Sequence, residues 1–483
     1  MNDKEQYRPI FHFSPTENWM NDPNGLVYHK GEFHLFYQYN PQGKHWGNIC
    51  WGHAVSTNLI YWNKLPVAIH EDKKNDLMIF SGSCVVDKHN VSGLGDKNEI
   101  IVAFYTQSKK DISKQSQSIA FSNDMGRTWE KFKSNPILES SHKAFRDPKV
   151  FWHKETSRWI MVVALSDIRH LQFYHSVDLI NWKFESEYNN NTKTEGLWEC
   201  PDIFQLPVKN KPDKKKWVLL LSGMHTYKGF SGMHYMIGDF DGKKFKDEQE
   251  INRLDYGKDF YAGYTWNNMP EGDERRILIG WASNWNYGSM FPTHPWRGVL
   301  SIPRELYLKE QNEKHIICQK PVIEYKKLRR EYFCVENIEI DTKSNRLFNN
   351  RFYGKSVELI LDVDLKNAEK FGVKVLKDEN EETVIEYSQK TSHISIDRRK
   401  SGNIGFHNDF PSKEMAKVNL IGKQLKLHII IDISIIEIFV NDGEVVFTER
   451  IFPSKKNRGQ IQFYTHLRPA TINRLELWKL KPM

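Results

Sequence analysis

The sequence has few cysteines and no long apolar run, and both absences limit what the protein can be. Its five cysteines are odd in number and widely spaced, and none forms a Cys-x-x-Cys pair, so neither a disulfide framework nor a zinc site follows. No apolar run approaches the ~20 residues that cross a membrane, and the N-terminus lacks the apolar core of a signal peptide. We therefore expect no membrane partner and a cytoplasmic protein, or a secreted one if a leader has been removed.

Familiar catalytic signatures are missing as well. The chain contains no Gly-x-Ser-x-Gly elbow, no phosphate-binding P-loop and no His-Glu-x-x-His motif. Its histidines are scattered, and we expect neither a metal site nor a cofactor. The net charge of +8 is spread along the chain, which indicates a solvated surface and no nucleic-acid partner. The sequence does not determine the oligomeric state.

Helical periodicity is also scarce, and short strands take its place. Most apolar runs are alternating, β-branched or aromatic, and Gly, Pro, Asn and Asp bound them. This pattern predicts an all-β protein. Aromatic residues make up 13% of the chain, an abundance that suits proteins which stack flat apolar faces on sugar rings or bases.

A motif recurs along the first half of the chain: an apolar strand, then Ser or Gly, an acid or amide, and a closing aromatic residue. The closing residues are Trp62, Trp129, Trp182 and Phe245, at intervals of 67, 53 and 63 residues. A fifth unit, without the closing motif, is centred on residues 275–281. Units of this length with about four strands each predict a β-propeller, with a β-sandwich or a solenoid as the alternative.

The composition and the hydrophobic pattern of the sequence change after the fifth unit. Residues 309–332 are charged and partly helical in pattern, which predicts a linker between a propeller domain at 1–308 and a second domain at 333–483. Alternating strands dominate the second domain, and Asn441-Asp442-Gly443 between two apolar runs is a strong hairpin signal. We expect a β-sandwich there, without an obvious catalytic group.

Three acids stand in similar local contexts. Asp22, Asp147 and Glu199 each lie beside a proline, or one residue from it, at the head of an apolar run. Taken alone, the segment around Asp22 is a turn signal. The acids nevertheless fall at the starts of repeat units. If those starts are the innermost strands of a propeller, the three carboxylates face its axis.

Paired carboxylates flanked by aromatic residues suit the cleavage of a glycosidic bond, which needs one ionised carboxylate and one that keeps its proton. The amides around Asp22 should lower its pKa and make it the base or nucleophile. Glu199 lies between Trp198 and Cys200-Pro201, whose apolar character should help it to keep its proton and act as the acid. Arg146 should keep Asp147 ionised.

At these motifs the sequence resembles the glycoside hydrolase family 32 β-fructosidases, which include invertases, levanases and exo-inulinases. The resemblance rests on residues 19–25 (Trp-Met-Asn-Asp-Pro-Asn-Gly), 146–148 (Arg-Asp-Pro) and 199–201 (Glu-Cys-Pro). Supporting blocks lie at 51–54, 80–83, 255–257, 303–306 and 436–443. The resemblance implies a five-bladed β-propeller followed by a C-terminal β-sandwich, and hydrolysis with retention through a covalent fructosyl-enzyme.

The resemblance also implies roles for individual residues. Asp22 would be the nucleophile, Glu199 the acid/base and Asp147 the transition-state stabiliser. The residues that would bind the substrate are Trp19, Asn21, Gln38, Trp46, Phe80, Ser81, Arg146 and Trp281. For Trp46 and Trp281, ordinary core packing is an equal alternative, whereas the position of Gln38 on the outward face of its strand favours contact with the ligand.

The implied activity is exo-acting release of terminal β-D-fructofuranose from sucrose and β-fructans such as levan and inulin. Residues 255–262 and 280–285 are most similar to the levanase and exo-inulinase types, and Gly263-Tyr264 departs from the Pro-Gln usual in sucrose-6-phosphate hydrolases. A sucrose-6-phosphate hydrolase, a fructosyltransferase of the same fold and a catalytically inactive sugar-binding protein are the alternatives.

Overall fold

The computed structural model describes residues 5–96, 99–189, 196–225, 230–341 and 353–481. Almost all regular structure in these ranges is β-strand, numbered β1 to β33 along the chain, and the prediction of an all-β protein is confirmed. Two short 3-10 helices span Gly288–Met290 and Ile323–Leu328. In the part of the chain that the structure describes, the helices are too short and too polar to cross a lipid bilayer.

The first two thirds of the chain, in its described ranges, form five antiparallel sheets, and in the first four the strands follow chain order. The first sheet contains β1 (Asn18–His29), β2 (Glu32–Asn40), β3 (Cys50–Ser56) and β4 (Asn63–Ile69). The second contains β5 (Leu77–Asp87), β6 (Ile100–Lys109), β7 (Gln115–Ser122) and β8 (Glu130–Lys131). The third contains β9 (Phe145–His153), β10 (Arg158–Leu165), β11 (His170–Ser176) and β12 (Lys183–Asn189).

The fourth and fifth sheets are joined by one parallel bridge between Val208 and Leu308. The fourth contains β13 (Leu197–Val208), β14 (Lys211–His225), β15 (Phe230–Phe240), β16 (Phe245–Asp247) and β17 (Asn252–Arg253). The fifth has the order β18 (Tyr261–Thr265), β19 (Arg276–Trp281), β21 (Arg304–Gln311) and β22 (Lys314–Pro321), while β20 (Trp296–Arg297) pairs with β1.

The five sheets close into a ring. The first strand of each sheet lies against the first strands of its two neighbours, in the circular order β1, β5, β9, β13, β18 and back to β1. These five inner strands therefore surround one axis, and each sheet extends outward from it. This is a five-bladed β-propeller, as the repeat and the resemblance predicted.

The recurring sequence motif is the turn between the third and fourth strands of a blade. Asn58, Asp124, Asp178 and Asp241 each use a side-chain oxygen to accept hydrogen bonds from two backbone N–H groups two to four residues further on. A short polar side chain that satisfies the turn in this way explains why an acid or amide recurs there. The fifth blade lacks the motif because its third and fourth strands are joined by a tight hairpin at residues 312–313.

The expected linker at 309–332 is wrong. Residues 304–321 form the third and fourth strands of the fifth blade, the 3-10 helix at Ile323–Leu328 follows, and a long strand begins at Arg329. The charged residues that suggested a linker lie on the exposed positions of the outer strands. We place the domain boundary between the end of β22 and Arg329.

The second domain is a sandwich of two antiparallel sheets, as expected. The first has the order β23 (Arg329–Ile340), β33 (Ala470–Leu480), β24 (Ser356–Asp364), β29 (Gln424–Asp432), β30 (Ile435–Val440) and β31 (Val445–Arg450). The second has the order β28 (Lys413–Lys417), β27 (His393–Lys400), β26 (Glu382–Ser388), β25 (Lys370–Lys377) and β32 (Gln460–His466). The predicted hairpin at residues 441–443 joins β30 to β31.

Buried charges join the sandwich to the fifth blade. Arg304, completely buried, donates hydrogen bonds to Asp255 at 3.0 Å and to Glu437 of the sandwich at 2.5 and 2.9 Å. Arg398 of the sandwich forms an ion pair with Asp259. The loop that leads into β18 is therefore fixed by the second domain, because Asp255 and Asp259 both precede that inner strand.

Candidate active site

Three carboxylates from different blades meet at one end of the propeller axis. Asp22 lies on β1, Asp147 on β9 and Glu199 on β13, each in the first half of an inner strand. Cys200, the residue after Glu199, connects them: its N–H donates to Asp147 Oδ2 at 2.9 Å, and its Sγ lies 3.7 Å from Asp22 Oδ2. The predicted convergence of these acids on the axis is confirmed.

Every inner strand carries a β-bulge at this end. In four of these strands the pairing register shifts between two named residues: Met20 and Pro23 on β1, Phe80 and Gly82 on β5, Glu199 and Asp202 on β13, and Tyr261 and Tyr264 on β18. On β9 the bulge lies opposite Val162 and Ala164 of the neighbouring strand β10. A bulge re-aims side chains and leaves a residue without a ladder partner, which tolerates the prolines that follow the acids. Asp147 and Cys200 have positive φ values of 65° and 51°. The acid–proline signals are thus bulges within strands, not turns.

Asp22 is almost completely buried and firmly held. Asn21 Nδ2 donates to its Oδ1 at 2.9 Å, and Ser81 Oγ donates to its Oδ2 at 2.8 Å. Burial raises the pKa of Asp22 to about 6, the hydrogen bond from Asn21 opposes this shift, and the nearby charge of Glu199 adds to it. The expectation that neighbouring amides would lower this pKa is wrong, because the loss of hydration outweighs their hydrogen bonds.

Glu199 is held by charged and polar partners. Arg146 donates to Glu199 Oε1 from Nη2 at 2.9 Å and from Nε at 3.1 Å, and the hydroxyl of Tyr261 donates to Oε2 at 2.5 Å. Trp198 lies instead in the apolar core that includes Tyr188 and Phe245. The expected apolar cover of Glu199 by Trp198 is therefore wrong, because adjacent residues of a strand point to opposite faces.

Asp147 is also buried, and Arg146, its neighbour in the chain, donates hydrogen bonds to Glu199 instead. Arg146 Nε lies 4.0 Å from Asp147 Oδ2, farther than its contacts with Glu199. Burial raises the pKa of Asp147 to about 7, Arg146 lowers it, and Glu199 raises it. The expectation that Arg146 would keep Asp147 ionised is wrong, since the guanidinium is directed at the glutamate.

The predicted sugar-binding residues lie at three depths. Asn21 and Ser81 touch Asp22 directly, and Gln38, which is buried, donates from Nε2 to Asn24 Oδ1 at 2.8 Å and to the carbonyl of Ile79 at 3.0 Å. Trp46 is 37% exposed, and its ring meets that of Phe80 edge-on at 5.8 Å. Phe80 directly precedes Ser81, which contacts Asp22, so this pair of aromatic rings lies on the same part of β5 as a residue of the site.

Trp19 and Trp281 lie behind this layer. Both are completely buried, and their rings are 5.8 Å apart. Trp19 Nε1 donates to Asn21 Oδ1 at 2.8 Å, so it orients the amide that contacts Asp22. Trp285 packs on both indoles, at 6.1 and 4.9 Å. In this structure Trp19 and Trp281 support the site from within the core.

Sequence reasoning missed Tyr261 and Trp285. Tyr261 begins β18, the inner strand of the fifth blade, in the position that corresponds to the acids of the first, third and fourth blades. Extending the repeat to the fifth unit would have identified it. Trp285 follows β19 in an irregular segment, and no sequence pattern distinguishes it from a core tryptophan. The described residues contain no cluster of histidine, cysteine and carboxylate side chains that could hold a metal ion.

Comparisons with known proteins fit this architecture. Residues 12–321 match the family description "Glycosyl hydrolases family 32 N-terminal domain", and residues 324–479 match "Glycosyl hydrolases family 32 C terminal". The chain belongs to glycosyl hydrolase family 32. It is a glycoside hydrolase, and the two matched ranges divide where the propeller ends and the sandwich begins.

Relatives and solved structures cover nearly the whole chain. A levanase of Bacillus subtilis is 42% identical over 99% of this chain and 71% of its own length. An extracellular exo-inulinase of Aspergillus niger is 36% identical over 93% and 90%. The crystal structure of an exo-inulinase from Aspergillus awamori aligns with a TM-score of 0.91 at 33% identity over 99% of each chain. A β-fructofuranosidase from Schwanniomyces occidentalis, complexed with fructosyl-erythritol, gives 0.90 at 32% over 100% and 99%.

Proposed function

We propose that this family 32 enzyme is an exo-acting β-fructosidase that releases terminal β-D-fructofuranose from sucrose and β-fructans with retention of configuration. The observation that carries the proposal is the meeting of Asp22, Asp147 and Glu199 at the end of the propeller axis, where Cys200 contacts both aspartates and Arg146 pairs with the glutamate. The sequences of relatives named levanase and exo-inulinase align with 99% and 93% of this chain.

In this proposal Asp22 attacks the anomeric carbon of fructose. Both of its oxygens are held by hydrogen bonds from Asn21 and Ser81, so the attacking lone pair is already oriented before the sugar binds. The resulting fructosyl-enzyme is then hydrolysed by water. Retention requires Asp22 and Glu199 to lie about 5–5.5 Å apart, and the thiol contact from Cys200 to Asp22 favours such a short separation.

Glu199 acts first as the acid and then as the base. Arg146 and Tyr261 fix its two oxygens, so the proton is delivered along one direction to the leaving oxygen and later taken from water. Asp147 acts in its ionised form, which is favoured when fructose hydroxyls donate hydrogen bonds to it. Its negative charge then stabilises the positive charge that develops on the sugar ring.

The two buried aspartates hold protons more tightly than isolated carboxylates would. Arg146 pairs with Glu199 and lies 4.0 Å from Asp147, and burial raises the pKa values of both Asp22 and Asp147. Fructose hydroxyls that donate to Asp147 favour its ionised form.

The test is turnover by two variants that preserve side-chain volume. We expect Asp22→Asn and Glu199→Gln each to abolish fructose release from sucrose, inulin and levan while the folded structure persists. Near-normal turnover by either variant would remove that residue from its role. Transfer of fructose to methanol, with the anomer of the product read by NMR, decides between retention and inversion.

The same assay separates the alternatives. Turnover of sucrose 6-phosphate far above that of sucrose would indicate the phosphosugar hydrolase. Fructosyl transfer to sucrose, at rates above fructose release, would indicate a transferase. The Aspergillus relatives are described as extracellular, and we propose secretion for this protein as well, to be checked by assaying fructan hydrolysis in culture medium against cell contents.

A further inference from the structure

A second cavity lies at the other end of the inner strands. Its volume is about 1060 Å³, and it is lined by the ends of β5, β9 and β13 and by the segment after β18. We call it the distal cavity. Trp152 in its wall lies five positions after Asp147 along β9, which at ~3.3 Å per residue is ~16 Å. The distal cavity is therefore a separate place from the active site.

Buried polar groups close the axis between the two sites. The ammonium of Lys149 pairs with Asp202 at 3.1 Å and donates to the carbonyl of Thr265 at 2.9 Å. Just below, the side-chain amide of Asn267 donates to the carbonyls of Cys84 and Val150, both at 2.9 Å. A molecule in the distal cavity consequently cannot reach the catalytic acids through the propeller.

The rim of the distal cavity presents an indole ring to solvent. Trp152 is 48% exposed at the end of β9. It is held edge-on against Trp159 at 5.1 Å, with the rings inclined at 70°. The two are cross-strand partners, so the exposed ring is fixed in orientation. A flat apolar face that is fixed and accessible suits stacking against a sugar ring.

The wall of the distal cavity also offers an arginine without a carboxylate partner. Arg276 donates one hydrogen bond, to the carbonyl of Trp266 at 3.2 Å, and its guanidinium lies over the ring of Phe204 at 5.0 Å. Among the described residues its guanidinium forms no ion pair within 4 Å, and the carboxylate whose charge acts on it, Asp202, is itself paired with Lys149. Its remaining N–H groups are available to hydroxyl oxygens.

The charge and size of the distal cavity point to the kind of ligand. Acidic and basic side chains line it in equal number, which favours a neutral, polar ligand over an anion or a nucleic acid. The volume is at the upper end of the ~300–1,000 Å³ typical of small-molecule pockets, and it leaves room for several sugar units. An exposed indole with hydrogen-bonding groups around it is the pattern expected for an oligosaccharide.

We propose that the distal cavity is a non-catalytic binding site for β-fructan oligosaccharides. It holds one part of the polymer while chain ends are hydrolysed at the active site, and so raises the local concentration of ends. This inference rests on the proposed function for the identity of the sugar. It adds a second site on the opposite face of the propeller, with Trp152 as the stacking residue.

Kinetics with Trp152→Ala test the proposal. Phe184→Ala is the matched control, because Phe184 is also an exposed aromatic residue of the third blade, at 57%, and lies outside the distal cavity. We expect both variants to hydrolyse sucrose as the unchanged protein does. For long inulin and levan, we expect Trp152→Ala alone to show a five- to tenfold higher KM. Equal KM values for the two variants on both polymers would overturn the proposal.

Binding measurements keep this test independent of catalysis. Calorimetric titration of the Asp22→Asn protein with inulin oligosaccharides, in the presence of saturating fructose, should show one remaining site. Adding Trp152→Ala should remove that site, and Trp152→Phe, which keeps a smaller ring, should weaken it. Unchanged binding by both double variants, or equal binding of dextran oligosaccharides, would overturn the proposal. Failure of the proposed function would appear separately, as absent fructose release from sucrose by the unchanged protein.

Discussion

Replacing the proposed nucleophile should stabilise the protein while it abolishes activity. The pKa of Asp22 is about 6 against an ordinary value of 3.8, and one pKa unit corresponds to ~1.4 kcal/mol, so the ionised carboxylate costs the folded state ~3 kcal/mol near neutral pH. Asp22→Asn removes that charge. It also disturbs the hydrogen bond from Ser81, at a cost of ~1 kcal/mol, which leaves a net gain of ~2 kcal/mol.

The gain in stability from Asp22→Asn depends on pH, and the raised pKa of Asp22 fixes the direction of that dependence. Below about pH 4 the carboxyl is protonated in both the folded and the unfolded chain, so its ionisation costs nothing there. Between about pH 4 and 6 the unfolded chain loses its proton first, and the folded state becomes progressively less favoured. Above pH 6 the cost is constant. The advantage of Asp22→Asn should accordingly be full at pH 7 and should vanish towards pH 4.

Calorimetric unfolding from pH 4 to pH 8 measures this advantage. With an unfolding entropy of ~2.1 cal/mol/K per residue, 2 kcal/mol in a propeller of roughly 310 residues is ~3 °C. Asp202→Asn is the matched control, because Asp202 lies three residues beyond Glu199 on β13 and pairs with the buried Lys149. That variant leaves an uncompensated ammonium and should be destabilised by ~3–5 kcal/mol. A lower unfolding temperature for Asp22→Asn at pH 7, or a gain that persists at pH 4, would refute the reasoning.

Three further predictions follow from the same contacts. The kcat/KM for sucrose should fall below about pH 7, where Asp147 is protonated, and more steeply below about pH 6, where Asp22 is protonated as well. A pH–rate profile that stays flat to pH 4.5 would contradict this. Tyr261→Phe removes the hydroxyl that donates to Glu199. Because a hydrogen bond to a charged group contributes ~1.5–3 kcal/mol, we expect kcat for sucrose to be roughly 10- to 100-fold lower. The loss should be smaller for an aryl fructoside, whose leaving group needs no acid, and equal losses for the two substrates would show a merely structural role. Arg304→Met breaks the buried contacts between the domains and should cost ~3–5 kcal/mol of stability, measured by thermal unfolding. Arg474→Met removes an exposed ion pair and should leave the unfolding temperature nearly unchanged; an equal loss in both variants would contradict the role of the buried contacts.

Local patterns in the sequence were sufficient to predict the propeller. The turn at Asp178 is satisfied by its own side chain and by N–H groups within three residues, so its signature survives without knowledge of the fold. The acid–proline pairs are local in the same way, because each bulge is formed by one strand and its neighbour. Placing the acids at the starts of repeat units was therefore enough to predict that they converge.

The pKa values of the acids could not be predicted in this way. The amides beside Asp22 are visible in the sequence, but its burial depends on all five inner strands. Likewise, the adjacency of Arg146 and Asp147 in the chain did not reveal that the guanidinium reaches Glu199 on the next blade. Tyr261 escaped notice because it is not an acid, although its strand begins a repeat unit.

The fold also explains why the acids remain in an unfavourable arrangement. Like charges at close range lower their energy by moving apart, and here the strands that carry them cannot move. Lys149, Asp202 and Thr265 join the third, fourth and fifth blades directly below the acids, and Asn267 ties the second blade to the third. Burial is the largest cause of the raised pKa values of Asp22 and Asp147, and the charge of Glu199 adds to both. Because the axis holds these acids in place, they cannot regain water or separate from Glu199 by moving, so the raised values persist in the folded protein.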